Sequence, residues 1–147
     1  MYYFAYGSNM NHQQMNERCP GNKFLGLAKL EGYKLVFDGF FKKRDGAVAN
    51  ITELAGSIVW GGLFEISEAN LAALDCYEGY PSAYNRKKIS VFLEGSEVVD
   101  VVVYYRTGQK LGSPSREYKE LILQGARNCG LPDDYIKAIR DLRIMLI

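Results

Sequence analysis

Residues 24–66 read FLGLAKLEGYKLVFDGFFKKRDGAVANITELAGSIVWGGLFEI, a run in which apolar-rich stretches alternate with glycine-centred turn signals. Four strands are expected here: Phe24 to Leu30, Tyr33 to Asp38, Ala47 to Ile51 and Ser57 to Ile66. Glu31-Gly32, Asp45-Gly46 and Gly56 fall between them and mark the turns. The four read as antiparallel neighbours.

Toward the N-terminus, Tyr2 to Tyr6 forms a short aromatic strand halted by Gly7, and Asn9 or Asn11 caps a helix running toward Arg18. On the other side Ser67 caps a helix with Glu68 in its first turn, Leu71 and Leu74 on one face, and a stop at Gly79 just after Glu78. Two strands follow, Arg86 to Leu93 and Val98 to Arg106. The second carries the unbroken apolar set Val101 to Tyr105 expected of a strand covered on both faces. Ser113-Pro114 opens a helix that places Tyr118, Leu121, Ile122, Gly125, Ala126 and Cys129 on one face before Gly130 ends it, and Pro132 opens a last short helix. Strands clustered first, with helices between and after them, predict an α+β fold: a mixed barrel-like sheet of about six strands with helices packed around it. No repeat, low-complexity segment or Pro/Gly/Ser-rich linker interrupts residues 1–147, so a single domain is expected.

Composition narrows the partners. A formal net charge of +1, with acidic and basic residues interspersed, provides no field for nucleic acid or an anionic membrane, so a small molecule is the expected partner. A homodimer stays open. The aromatic start is too short for a signal peptide, and no apolar run approaches the roughly 20 residues that span a bilayer. Cys19, Cys76 and Cys129 form no Cys-x-x-Cys pair and have only His12 as an imidazole companion, which argues against zinc and a disulfide framework and for a reducing cytoplasm.

Two places could carry chemistry. Tyr6-Gly7-Ser8-Asn9 ends a strand in a sharp turn, which can leave successive main-chain N–H groups pointing outward as an anion nest, with a helix N-terminus behind it. An ordinary turn with an N-cap accounts for the same residues. Glu78 closes the second helix, where the negative end of the dipole and flanking Tyr77 and Tyr80 both raise a carboxyl pKa. A solvated surface glutamate accounts for that position too. Ser8 and His12 lack an acidic orienter for a triad. Lys42-Lys43-Arg44 and Arg86-Lys87-Lys88, with aromatic neighbours Phe40, Phe41 and Tyr84, read as solvated hairpin ends, RNA stacking being the rival. Gly61-Gly62 has no helix behind it and is not a phosphate loop.

Taken together, Tyr3-Phe4-Ala5-Tyr6-Gly7-Ser8-Asn9-Met10 resembles the opening motif of the gamma-glutamylcyclotransferase-like family, which includes plant proteins of the AIG2-like type. Further segments match in order: Gly26 to Leu35, Ala49-Asn50-Ile51, Val59-Trp60-Gly61, Leu71 to Gly79, Pro114 to Ala126 and Gly130-Leu131-Pro132. The resemblance implies a barrel-like α+β fold in which Tyr3, Phe4, Ala5, Tyr6, Gly7, Ser8 and Asn9 line the substrate pocket. It implies that Glu78 is the catalytic carboxylate and that Tyr118 brings a hydroxyl near the pocket. The reaction it implies is attack of a γ-glutamyl α-amine on its own side-chain carbonyl, releasing 5-oxoproline and an amine, with no metal or organic cofactor. Tyr80 departs from the small aliphatics often seen beside the catalytic position, and an altered pocket wall is the expectation there. A binding or interaction module that keeps the pocket without turnover is the rival reading from another class.

Overall fold

The computed structural model describes residues 1–141; residues 142–147, which the expected single domain includes, lie outside the described residues. Among the described residues five strands close into a barrel in the order β1 (Tyr2–Ala5), β3 (Gly46–Glu65), β2 (Lys23–Phe41), β4 (Asn85–Leu93) and β5 (Ser96–Tyr105). Every neighbouring pair is antiparallel except β1 and β5, whose parallel pairing of Tyr2 with Val101 and Tyr3 with Val102 completes the ring. Closure gives the short β1 a neighbour on each side, which is why its residues from Tyr3 onward are buried.

The expected six or so strands become five because the four segments of residues 24–66 join pairwise into one long hairpin. Asp45, in the left-handed region at φ 53, makes its turn. Gly32 and Gly56 do not reverse the chain. They lie in an irregularity where the register passes from Glu31 opposite Ile58 to Tyr33 opposite Glu53. Such bulges bend a strand without ending it, and bending is what a barrel of five strands requires.

Among the described residues four helices pack around the barrel: α1 (His12–Arg18), α2 (Glu68–Glu78), α3 (Arg116–Cys129) and α4 (Asp133–Arg140). The cap of α3 is Ser115, whose hydroxyl accepts from Tyr118 N–H, so Pro114 precedes the helix instead of opening it. Its buried face carries Tyr118, Ile122, Gly125, Ala126 and Cys129 as expected, but the expected Leu121 is only half-buried and Leu123 is buried in addition. Phe4, Phe37, Phe64, Leu35, Leu63 and Ile122 are among the fully buried side chains, each worth roughly 1.5–3 kcal/mol on burial. Gly61 is explained by the same closure. A Cβ there would fall 2.2 Å from the Ala5 carbonyl oxygen and 2.8 Å from the Phe4 ring, so β1 could not lie against β3. Among the described residues no helix is long and apolar enough to cross a membrane.

Candidate active site

Glu78 is the last residue of α2, and local chemistry determines where that helix starts and stops. Ser67 Oγ accepts from Asn70 N–H while Asn70 Oδ1 accepts from Ser67 N–H, each at 3.1 Å, a reciprocal cap. At the other end Gly79 turns into the left-handed region at φ 66, and its N–H returns to the Asp75 and Cys76 carbonyls. The Glu78 carboxyl is left at the negative end of the helix, beside the end of β1.

Leaving β1, the chain makes a 3-10 turn over Ser8–Met10. Met10 N–H bonds to the Gly7 carbonyl at 3.1 Å and Asn11 N–H to the Ser8 carbonyl at 3.0 Å, so the N–H groups of Gly7, Ser8 and Asn9 take no part in the turn's own bonds. Asn11, one of the two expected caps, opens the helix behind it. α1 begins only at His12, capped by the Asn11 side chain on Gln14 N–H, so its positive end lies one turn beyond the nest. From the other side α3 presses so closely that a Cβ on Gly125 would sit 2.4 Å from the Asn11 nitrogen.

Turn and carboxylate face one cleft of about 680 Å³ of empty space, its mouth included. Asn9, only 3% exposed, donates from Nδ2 to the Tyr3 hydroxyl at 3.0 Å and to Glu78 Oε1 at 3.3 Å. Its Oδ1 accepts from Gln14 Nε2 at 2.9 Å and from Arg18 at 3.2 Å. Tyr6, Tyr84, Tyr104 and Tyr118 line the rest of the wall. Tyr118 Oη accepts from Ala49 N–H at 3.0 Å, and Tyr84 donates to the Ala49 carbonyl at 2.6 Å.

Burial among these groups pushes the Glu78 carboxyl up from its ordinary 4.5 to about 7, against the pull of Arg18, Arg44 and Arg106. Burial likewise pushes the Tyr118 hydroxyl up to about 12, so it remains a proton donor. Arg18, Lys43 and Arg44 also line the cleft, and among the described residues none of them makes a salt bridge. Three cations facing one carboxylate leave the cleft positive. Such an arrangement is able to hold an anionic ligand and to move one proton near neutrality.

The AIG2-like family profile matches residues 58–139, from β3 through α4. A gamma-glutamylcyclotransferase of Bos taurus is 32% identical over 145 residues, covering 95% of this chain and 77% of the relative. The Homo sapiens gamma-glutamylcyclotransferase is 32% identical over 143 residues, covering 94% and 76%. This chain belongs to the gamma-glutamylcyclotransferase family. A solved structure bearing the name gamma-glutamyl cyclotransferase superposes with a TM-score of 0.90 at 31% identity, covering 95% of this chain and 85% of the other.

Within this gamma-glutamylcyclotransferase-family fold, Tyr3, Tyr6, Gly7, Ser8, Asn9, Glu78 and Tyr118 meet at the cleft. Phe4 and Ala5 do not. The Phe4 ring lies against Gly61 in the barrel interior, and Ala5 is paired with Gly62 in the sheet. Tyr80 also leaves the cleft, its ring stacked 4.2 Å from the Arg86 guanidinium, so it is no wall beside Glu78. Arg86 in turn bonds Asp75, which accepts from the Tyr104 hydroxyl at 2.7 Å. His12 packs on Phe24 and approaches Cys129 at 3.8 Å, away from any triad. Sequence reasoning missed Gln14, Arg18, Tyr104 and the place of Lys43 and Arg44 in the cleft lining. The one available signal was the four-residue spacing of Gln14 and Arg18, which puts both on one face of α1 toward Asn9.

Proposed function

We propose that this chain catalyses γ-glutamyl cyclotransfer, with Glu78 as the single proton carrier. The observation that carries the reading is a carboxyl with a pKa raised to about 7 facing the Gly7-Ser8-Asn9 turn across one positive cleft. Its kinship with gamma-glutamylcyclotransferases of Bos taurus and Homo sapiens supports the same reading.

The substrate is a γ-glutamyl amide, bound by its α-carboxylate to the cleft cations. Glu78, ionised, takes one proton from the α-ammonium, and the freed amine attacks the side-chain carbonyl carbon. A new C–N bond forms as the carbonyl becomes a tetrahedral oxyanion, which the N–H groups of Gly7 and Ser8 accommodate. On collapse the original amide C–N bond breaks, and the leaving nitrogen receives the proton from Glu78. The ring nitrogen sheds its second proton to water or to the departing amine, and 5-oxoproline is released. Attack within one molecule reaches effective molarities of about 10⁵–10⁸ M when held in geometry, so proton transfer and oxyanion binding are the main tasks left to the protein. These are typically worth about 10²–10⁴-fold and roughly 10²–10³-fold.

The test is incubation of the wild-type protein with a panel of γ-glutamyl amino acids and γ-glutamyl amines, with 5-oxoproline and free amine both quantified. Equimolar release of the two from at least one compound is expected. Saturable binding without either product would replace the enzyme by a binding pocket.

A further inference from the structure

Two amide side chains stand in series between a cleft arginine and Glu78. Arg44, in the short 3-10 turn Lys42–Arg44 that follows β2, donates from Nη2 to Gln14 Oε1 at 3.2 Å. Gln14 Nε2 donates onward to Asn9 Oδ1 at 2.9 Å and to Ser8 Oγ at 2.9 Å. Asn9 Nδ2 then donates to Glu78 Oε1 at 3.3 Å. The chain therefore joins residues from the hairpin, α1, the cleft turn and α2.

The direction of this chain is forced at both ends. A guanidinium can only donate, so the Gln14 atom facing Arg44 is the oxygen, and its nitrogen must face Asn9. A carboxylate can only accept, so the Asn9 atom facing Glu78 is the nitrogen. Arg18, the second donor on Asn9 Oδ1, enforces the same orientation. Reversing either amide would set donor against donor at one end and oxygen against oxygen at the other. Hydrogen bonds aligned in series polarise one another, so the positive end at Arg44 strengthens the last bond to the carboxylate.

We propose that Gln14 is a positioning residue for Glu78: its amide orients Asn9 so that an N–H always faces the carboxylate, and it couples Arg44 to that bond. The role rests on the cyclotransferase reading for its meaning in catalysis but not for its detection. Gln14 reaches Glu78 through Asn9 and does not line the cleft.

Other groups also act on the carboxylate. Arg18 from α1, Arg44 from the hairpin turn and Arg106 after β5 favour its ionised form. Around it stand the hydroxyls of Tyr3, Tyr6, Tyr84, Tyr104 and Tyr118, none of which ionises in the range where Glu78 titrates. A neutral-for-neutral change at Gln14 leaves all of these charges in place, so any movement of the Glu78 midpoint reports the amide chain.

The experiment follows Glu78 by carbon NMR in protein labelled at the glutamate δ-carbons, its signal assigned by its loss in Glu78→Gln. Gln14→Met keeps the length of the side chain and removes its three side-chain hydrogen bonds, to Arg44, Asn9 and Ser8; the Glu78 midpoint rises by about half to one pH unit. Gln14→Glu sets a carboxylate against Asn9 Oδ1, turns that amide over, and raises the midpoint further. The exposed neighbour Gln13→Met leaves it unmoved. The acid limb of kcat/KM moves by the same amounts while KM changes less than kcat. A midpoint unmoved in Gln14→Met, or an equal rise in Gln13→Met, overturns the proposal. Those midpoints need no turnover, so a wild type that releases no 5-oxoproline defeats the cyclotransferase reading and leaves the NMR test of Gln14 intact.

Discussion

The side-chain amide of Asn9 donates to the Glu78 carboxylate at 3.3 Å, joining two residues 69 positions apart in the chain. One comes from the turn after β1 and the other from the last residue of α2. Barrel closure is what brings them together, because β1 can sit against β3 only while Gly61 lacks a side chain. The bond also ties the Glu78 carboxylate to the Gly7-Ser8-Asn9 turn. A shift of either piece is felt by both.

The raised pKa of Glu78 gives a pH profile. In the proposed reaction the base form is the active one, so kcat/KM should climb with unit slope from pH 5 and level off above about 7, the value to which burial pushes the carboxyl. Steady-state rates of 5-oxoproline release across this range check it. A profile already flat at pH 5 would mean that the active carboxyl is an ordinary exposed one.

The same shift predicts a stability change. Glu78 binds its proton more tightly in the folded state than in the unfolded chain, so the folded protein holds more protons between pH 4.5 and about 7. This group's contribution to stability is therefore whole below pH 4.5, falls as pH rises through that window, and stays low above it. Glu78→Gln removes the loss. Thermal unfolding of the variant should match wild type at pH 4 and exceed it at pH 8 by up to ~3 kcal/mol. Equal melting temperatures at pH 8 would contradict burial of the charge.

Arg44 faces the cleft with its guanidinium 5.2 Å from the Tyr118 ring and no carboxylate partner among the described residues. Arg44→Met should lower kcat/KM for a γ-glutamyl amino acid by about 10–100-fold, mostly through KM, the worth of a charge-assisted hydrogen bond. The salt dependence of KM should weaken in parallel. An unchanged KM would place substrate anions elsewhere.

Much of this site is legible in the sequence, and the reason is locality. Ser67, Glu68 and Gly79 delimit α2 by their own chemistry, so Glu78 at its end can be read directly. Tyr6-Gly7-Ser8-Asn9 likewise announces a turn after a strand. The hairpin is less readable: Gly32 and Gly56 carry turn signals, yet the ladder continues past them because barrel curvature uses their positive φ as a bend. Arg44 and Lys43 resemble a solvated tip, since nothing within a few residues reveals that the bent hairpin lies over the cleft. Phe4 and Ala5 share the motif with true cleft residues, but the sheet turns the Phe4 ring toward Gly61 and keeps Ala5 opposite Gly62. Gln14 and Arg18 have a readable spacing but no visible target until Asn9 is placed.

Tyr118 links α3 to β3 through the bond that its hydroxyl accepts from Ala49 N–H at 3.0 Å. Tyr118→Phe leaves that buried N–H without its partner, at ~1–3 kcal/mol of stability. Denaturant unfolding at pH 7 measures the loss. A midpoint unchanged within error would show that another acceptor serves Ala49.

Whether Glu78 carries the proton is decided by the rate of 5-oxoproline formation in Glu78→Gln against wild type, on the γ-glutamyl compound the wild type turns over fastest. The amide keeps the size of the side chain and loses its ability to carry the proton. A fall in kcat of at least about 10²-fold, with KM little changed, is the predicted result. A Glu78→Gln protein that works at the wild-type rate would remove this carboxyl from the reaction.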